Sequence, residues 1–232
     1  MQLRRSGVGN TIARGALLTV GTLFGGLIAG LLAGSIVFHL IPGSSVENVR
    51  IGHAVIAAIP ALAGFLLGGA AWGTRMGRLA GAEDSRRLAV AGLLGFGPIT
   101  ILLALGLGAG EPLILAAIGD NTPIHRIFTL LFVPSAFLIA GISAYALGRG
   151  LGDKRLALSL LWRTGLAAAV TFLCINLLME SLGWVVGAPG AGERATMLTV
   201  MFAGNLGAAL VGGGLLALTL RGAYQPGVVA GD

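Results

Sequence analysis

The sequence predicts an all-α protein: a polytopic transmembrane bundle of six helices with both termini in the cytoplasm. Three observations predict it. Of 232 residues, 56% are hydrophobic and only 10% charged, against about a quarter charged in a soluble domain. The mean hydropathy is +0.92. The apolar residues gather in six long runs that do not alternate with polar ones, which favours helices over a membrane barrel. So few charges cannot solvate a surface in water, so lipid is the expected solvent.

The segments run approximately over 16–41, 52–74, 88–109, 127–147, 157–185 and 196–220. Each can cross about 30 Å of hydrocarbon, which takes about 20 apolar residues. Together they make residues 1–232 a single membrane domain. The first segment follows a basic stretch, Met1 to Gly15, and at about 25 residues is too long for a typical signal-peptide core; it reads as a span. The fifth exceeds the bilayer and must tilt or protrude. Between the third and fourth lies Glu111 to His125, whose apolar stretch, Leu113 to Ile118, is too short to span and reads as interfacial.

The basic residues set the orientation. One side would hold Arg4, Arg5, Arg14, Arg75, Arg78, Arg86, Arg87, Arg149, Lys154, Arg155 and Arg221, the other only Arg50, Arg126 and Arg194. The positive-inside rule puts the richer side in the cytoplasm. Trp72 and Trp162 would then anchor the cytoplasmic interface and Trp184 the outer one. A net charge of +6 would suggest nucleic acid in a soluble protein, but here it reflects membrane orientation. The expected partners are the lipid bilayer and either other membrane subunits or a second copy, with no nucleic acid. The expected location is the cell membrane, multi-pass, an inner membrane in a bacterial setting.

Gly77-Arg78 followed by Arg87-Leu88-Ala89 resembles Gly148-Arg149 followed by Arg155-Leu156-Ala157. His53 and His125 each open the preceding span, with Pro60 and Pro134 further in. The pattern suggests that spans two and three recur as spans four and five. Shared glycine-rich composition is the alternative.

Glycine supplies 40 residues. Gly26, Gly30 and Gly34 share one face of the first span, and Gly204, Ala208 and Gly212 share one face of the sixth. Small faces let helix backbones approach closely in lipid, where no hydrophobic drive joins helices. Tight packing within the chain, a homo-oligomer interface and a sliding surface are the readings left open. Gly95-Phe96-Gly97-Pro98 is the strongest helix break, because two glycines meet a residue that removes a backbone donor. Broken helices line binding sites in many transporters. Gly95, Gly97 and Pro98, with Asn176 and Asn205 on the last two spans, are therefore the substrate-path candidates. A permease of this kind would carry a polar cavity near mid-membrane, touching Gly97, Asn176 or Asn205.

His39, His53 and His125 all fall at outer span ends, on the side of Glu180. Imidazole and carboxylate together suit a divalent metal or a proton-sensing cluster. No pair has the i, i+4 spacing of a helical metal site, and no other cofactor is expected. The single cysteine, Cys174, excludes an intrachain disulfide and a thiol cluster. Ser143 lacks the following glycine of an intramembrane serine protease motif, and no phosphate-binding lysine loop is present. An enzyme is therefore the less favoured class. The chain reads first as a small-solute or ion permease, or the membrane subunit of a transport complex. The alternative is a non-catalytic accessory or assembly subunit, and the third reading is an outer-face metal- or proton-binding protein.

Overall fold

The computed structural model describes residues 7–40, 51–97, 124–182 and 191–223, and among these there are helices and short turns but no strand. The helices are α1 (Val8–Leu40), α2 (Ile51–Leu79), α3 (85–97), α4 (Ile124–Gly150), α5 (Lys154–Ser181) and α6 (Ala191–Ala223). Within the described residues four stretches are long and apolar enough to cross a membrane, namely Val8–Val37, Phe132–Gly150, Lys154–Ser181 and Phe202–Ala223. α2 continues through Pro60 and α4 through Pro134. Of the third predicted segment, 88–109, only the part up to residue 97 is described.

The helices close into a ring in which each packs against the next and α6 returns to α1. Every seam is antiparallel, as the residue pairs across it show. Glycine lets the backbones approach. A Cβ on Gly26 would lie 2.5 Å from the Gly64 carbonyl oxygen and 2.9 Å from the Gly68 Cα, which joins α1 to α2. Gly92 of α3 sits against Gly69 and Gly73 of α2, and Gly95 against Ser143 of α4. Gly141 and Gly148 of α4 face Leu161 and Ala157 of α5. Gly213 of α6 abuts Thr19 and Gly15 of α1. The α5–α6 seam differs, since Phe172 and Ile175 side chains fill the space over Gly204 and Gly207.

Large apolar side chains point the other way. Leu17, Ile36, Leu67, Leu94, Leu166 and Leu177 are exposed on the outside of the ring. Small residues inside and leucines outside would aggregate in water. The same arrangement suits lipid, where contact between backbones supplies the attraction.

The turns joining α2 to α3 and α4 to α5 are built alike. In the first, Gly81 N–H donates to the Arg78 carbonyl (3.0 Å) and Ala82 N–H to the Gly77 carbonyl (3.0 Å). In the second, Gly152 N–H donates to Arg149 (3.0 Å) and Asp153 N–H to Gly148 (3.3 Å). This is the Schellman helix end. Gly81 and Gly152 hold φ of 87° and 89°, a left-handed conformation that a Cβ disfavours. An aspartate then caps the next helix. Asp84 Oδ1 accepts from Arg87 N–H and Asp153 Oδ1 from Leu156 N–H, each at 2.9 Å.

These turns, the start of α1 and the end of α6 lie at one end of the ring. Arg14, Arg75, Arg78, Arg86, Arg87, Arg149, Lys154, Arg155 and Arg221 therefore gather there. Arg87 Nη2 donates to the Arg149 carbonyl (3.3 Å) and so ties the two turns together. Arg221 Nη1 donates to Thr11 Oγ1 (3.2 Å) and ties α6 to α1.

Candidate functional site

Inward from the basic end comes an apolar plug. Met76, Leu88, Leu147, Leu160, Leu216 and Leu220 are almost completely buried and pack as one cluster with Leu79, Ala144, Leu156 and Ala217. They come from α2, α3, α4, α5 and α6, all within about 10 Å of the basic end at 1.5 Å per residue.

Above the plug the ring opens into a chamber of about 760 Å³ lined by all six helices. Its floor is at Trp72 and it reaches up to Phe24 and Phe202, roughly 25–30 Å from the basic end. It therefore occupies the stretch of the ring roughly 10–30 Å inward from the basic end. The walls are mostly apolar. Phe65, Phe96 and Trp72 form an edge-to-face series, with Trp72 and Phe96 centroids 4.8 Å apart and Phe65 and Phe96 6.1 Å apart. Phe24 meets Phe202 edge to face at 5.5 Å between α1 and α6. Ala136, Ala140 and Ala168 complete the lining beside Thr164, Asn205 and Gly212.

The polar atoms of this wall are few. Trp72 Nε1 donates to Thr19 Oγ1 (3.1 Å), which itself donates to the Gly15 carbonyl (2.9 Å). Trp72 is 2% exposed. This corrects the expectation of an interfacial anchor, because with Thr19 accepting its N–H the indole has no need of the headgroups. Trp162 does lie on the outer surface, beside Arg163 and 5.5 Å from Phe137. Thr164 is 4% exposed, and its Oγ1 finds no hydrogen-bond partner among the described residues.

The substrate-path candidates separate. Asn205 lines the chamber. Asn176 is outside its described lining and packs over Gly204 at the α5–α6 seam, where its Nδ2 donates to the Phe172 carbonyl (2.7 Å) and its buried Oδ1 finds no partner among the described residues. Gly95 meets Ser143, and a Cβ on Gly97 would meet the Leu66 side chain. Both are packing contacts of α3. Pro98 lies outside the described residues. The expected cavity was polar, whereas the observed one has a largely apolar wall.

Of the small-residue faces, Gly26 and Gly30 meet Gly64 of α2, and Gly34 is buried on the same face. Gly204, Ala208 and Gly212 face α5, and the last two also line the chamber.

His39 is in the last turn of α1, exposed. His53 and His125 belong to the first turns of α2 and α4, with side chains outside the described set. Glu180 is near the end of α5. Among the described residues no three His, Cys, Asp or Glu side chains converge on a metal position.

Sequence reasoning missed the aromatic wall and Thr164. Phenylalanine and threonine carry no mark of a site when every neighbour is apolar. No protein-family model, curated protein or solved structure matches this chain.

Proposed function

We propose that this chain is a six-span protein of the cell membrane, both termini cytoplasmic, that binds a small neutral solute in its central chamber and passes it across the bilayer. It would act as a permease or as the membrane subunit of a transport complex. The chamber lined by all six helices carries the reading. The lining is mostly apolar, so its wall favours an uncharged occupant. Among the described residues no charged side chain lines it, and an ion stripped of water there would meet little in that wall to replace its hydration. The apolar plug beneath it serves as a barrier on the cytoplasmic side.

The basic end supports the cytoplasmic placement of the turns and of both termini. The two Schellman hairpins, identical in hydrogen-bond pattern, support a duplicated helix pair.

Proteoliposomes test the function. Benzamide, a neutral ring with one amide, should equilibrate faster through the reconstituted protein than through empty liposomes. Ala140→Phe, which puts a further ring into the chamber, should reduce the difference, and potassium should not pass. If wild type and Ala140→Phe behave alike for neutral solutes, the permease reading fails and the accessory-subunit reading takes its place.

A further inference from the structure

We propose that the outer face of α5, at the basic end, binds the headgroup of an anionic phospholipid and holds its phosphate between Arg155 and Arg163. The inference rests on the membrane placement proposed above and is independent of transport.

Arg163 is the observation that points to a ligand. α5 has 28 residues and is about 42 Å long, about 12 Å more than the ~30 Å of hydrocarbon. Arg163 lies about 14 Å from its start, and from there to Glu180, about 26 Å further, the helix carries no charge. The hydrocarbon therefore begins at Arg163, and the first turns of α5 stand in the headgroup layer. Trp162 agrees with that level, because it is exposed and an indole is best solvated at the interface.

The cations of this face have no counter-ion in the protein. Arg155 and Arg163 are exposed, and neither makes a hydrogen bond or ion pair with any described residue. Arg78, Arg87 and Arg221, by contrast, are tied to Ser85, the Arg149 carbonyl and Thr11. The cations gathered at this end outnumber the described acids there, Glu83, Asp84 and Asp153, of which Asp84 and Asp153 cap helices.

Arg155, Ser159, Trp162, Arg163, Leu166 and Val170 share one face of α5, while Leu156, Ala157, Leu160 and Thr164 on the other side are buried in the ring. Trp162, Leu166 and Val170 are exposed, an apolar surface that suits an acyl chain. Arg155 and Arg163 stand about 12 Å apart along the axis. Their flexible stems let both guanidinium forks converge on one phosphate between them. Phosphatidylcholine brings that phosphate with its own ammonium, whereas an anionic headgroup leaves the charge for the two arginines, so the face selects the anionic lipid.

Trp162 reports the site. Nanodiscs of phosphatidylcholine carry a small fraction of one lipid brominated high on its acyl chains, either phosphatidylglycerol or phosphatidylcholine, and the bromine quenches the indole. The protein carries Trp184→Phe, and a Trp162→Phe/Trp184→Phe variant supplies the contribution of buried Trp72 for subtraction. Brominated phosphatidylglycerol should reach half-maximal quenching at about one-tenth the mole fraction that phosphatidylcholine needs. Arg163→Gln and Arg155→Gln should each lower that preference about five-fold, the share of one basic residue at an anionic surface. Arg75→Gln removes the same charge from an exposed position of α2, across the ring, and should leave the preference within about two-fold of wild type.

Equal quenching by the two lipids means that water and headgroups at large solvate Arg163; it overturns the site and leaves the membrane placement standing. A preference lowered as much by Arg75→Gln as by Arg163→Gln belongs to the field of the whole basic end and overturns the assignment to α5. A preference lost in millimolar inorganic phosphate at constant ionic strength makes the ligand a soluble anion and overturns the lipid. Trp162 unquenched by either lipid overturns the membrane placement of α5 itself. Benzamide flux, present or absent, bears only on the permease reading.

Discussion

Replacing Gly92 by alanine should weaken the protein, while the same change at Gly25 should not. At Gly92 the new Cβ would lie 2.9 Å from both Cα and N of Gly73, and closer still to the Gly69 carbonyl oxygen. Carbon atoms pack at about 3.5–4.0 Å, so the α2–α3 seam must open by at least ~0.6 Å. Backbone atoms cannot rotate away as a side chain can. A gap of that size forfeits a quarter to a half of each contact along the seam, and overpacking of this kind costs about 1–3 kcal/mol. Gly25 is exposed on α1 with nothing within 4 Å of its added Cβ. There alanine only gains helix propensity, up to about 1 kcal/mol. Gly73→Ala meets the same seam from the other side, with Gly92 Cα at 2.8 Å. Once one substitution has parted the helices, the second should cost less, so the pair should be sub-additive. Unfolding by dodecyl sulfate from mild-detergent micelles, followed by far-UV circular dichroism, measures all four variants. Gly92→Ala unfolding at the wild-type midpoint, or strict additivity with Gly73→Ala, would refute the reasoning.

The plug and the turns give further expectations in the same assay. Leu160→Ala, at a fully buried position, should cost about 2–5 kcal/mol, while Leu166→Ala on the exposed face should stay within about 0.5 kcal/mol. Equal losses at the two positions would mean that the plug is not packed. Asp84→Ala and Asp153→Ala each remove one cap acceptor and should each cost about 1 kcal/mol. Unequal losses would argue against equivalent hairpins. Gly152→Ala, at φ 89°, should cost about 1–2 kcal/mol, and a stabilised variant would show that the turn adopts another backbone.

How much of the site was legible follows from what each residue type signals. Asn205 stood out because an amide is rare in an apolar helix, and it does line the chamber. Asn176 stood out for the same reason but sits in a seam, because its side chain turns back to the Phe172 carbonyl. Spacing cannot distinguish these outcomes. Trp72 looked like an interfacial anchor because it lies two residues from the end of the predicted span 52–74. Only the neighbouring position of Thr19, 53 residues earlier in the chain, turns it inward. Thr164 carried no signal at all, since a threonine among apolar residues reads the same whether or not its hydroxyl finds a partner among its neighbours.

Composition and the length of the apolar runs were enough to determine a helical chain that lipid must solvate, because backbone groups in hydrocarbon have to be satisfied within each segment. The recurrence of glycine at i, i+4 and i+8 was equally a property of the sequence. Which helix each glycine meets, the closure of α6 onto α1, the plug and the chamber were decided by tertiary structure. The physical reason is that these helices are apolar on their outer and inner faces alike. A soluble helix writes its buried side into its pattern of polar and apolar residues. A helix in lipid chooses its inner side by close packing, and that choice exists only once its neighbours are in place.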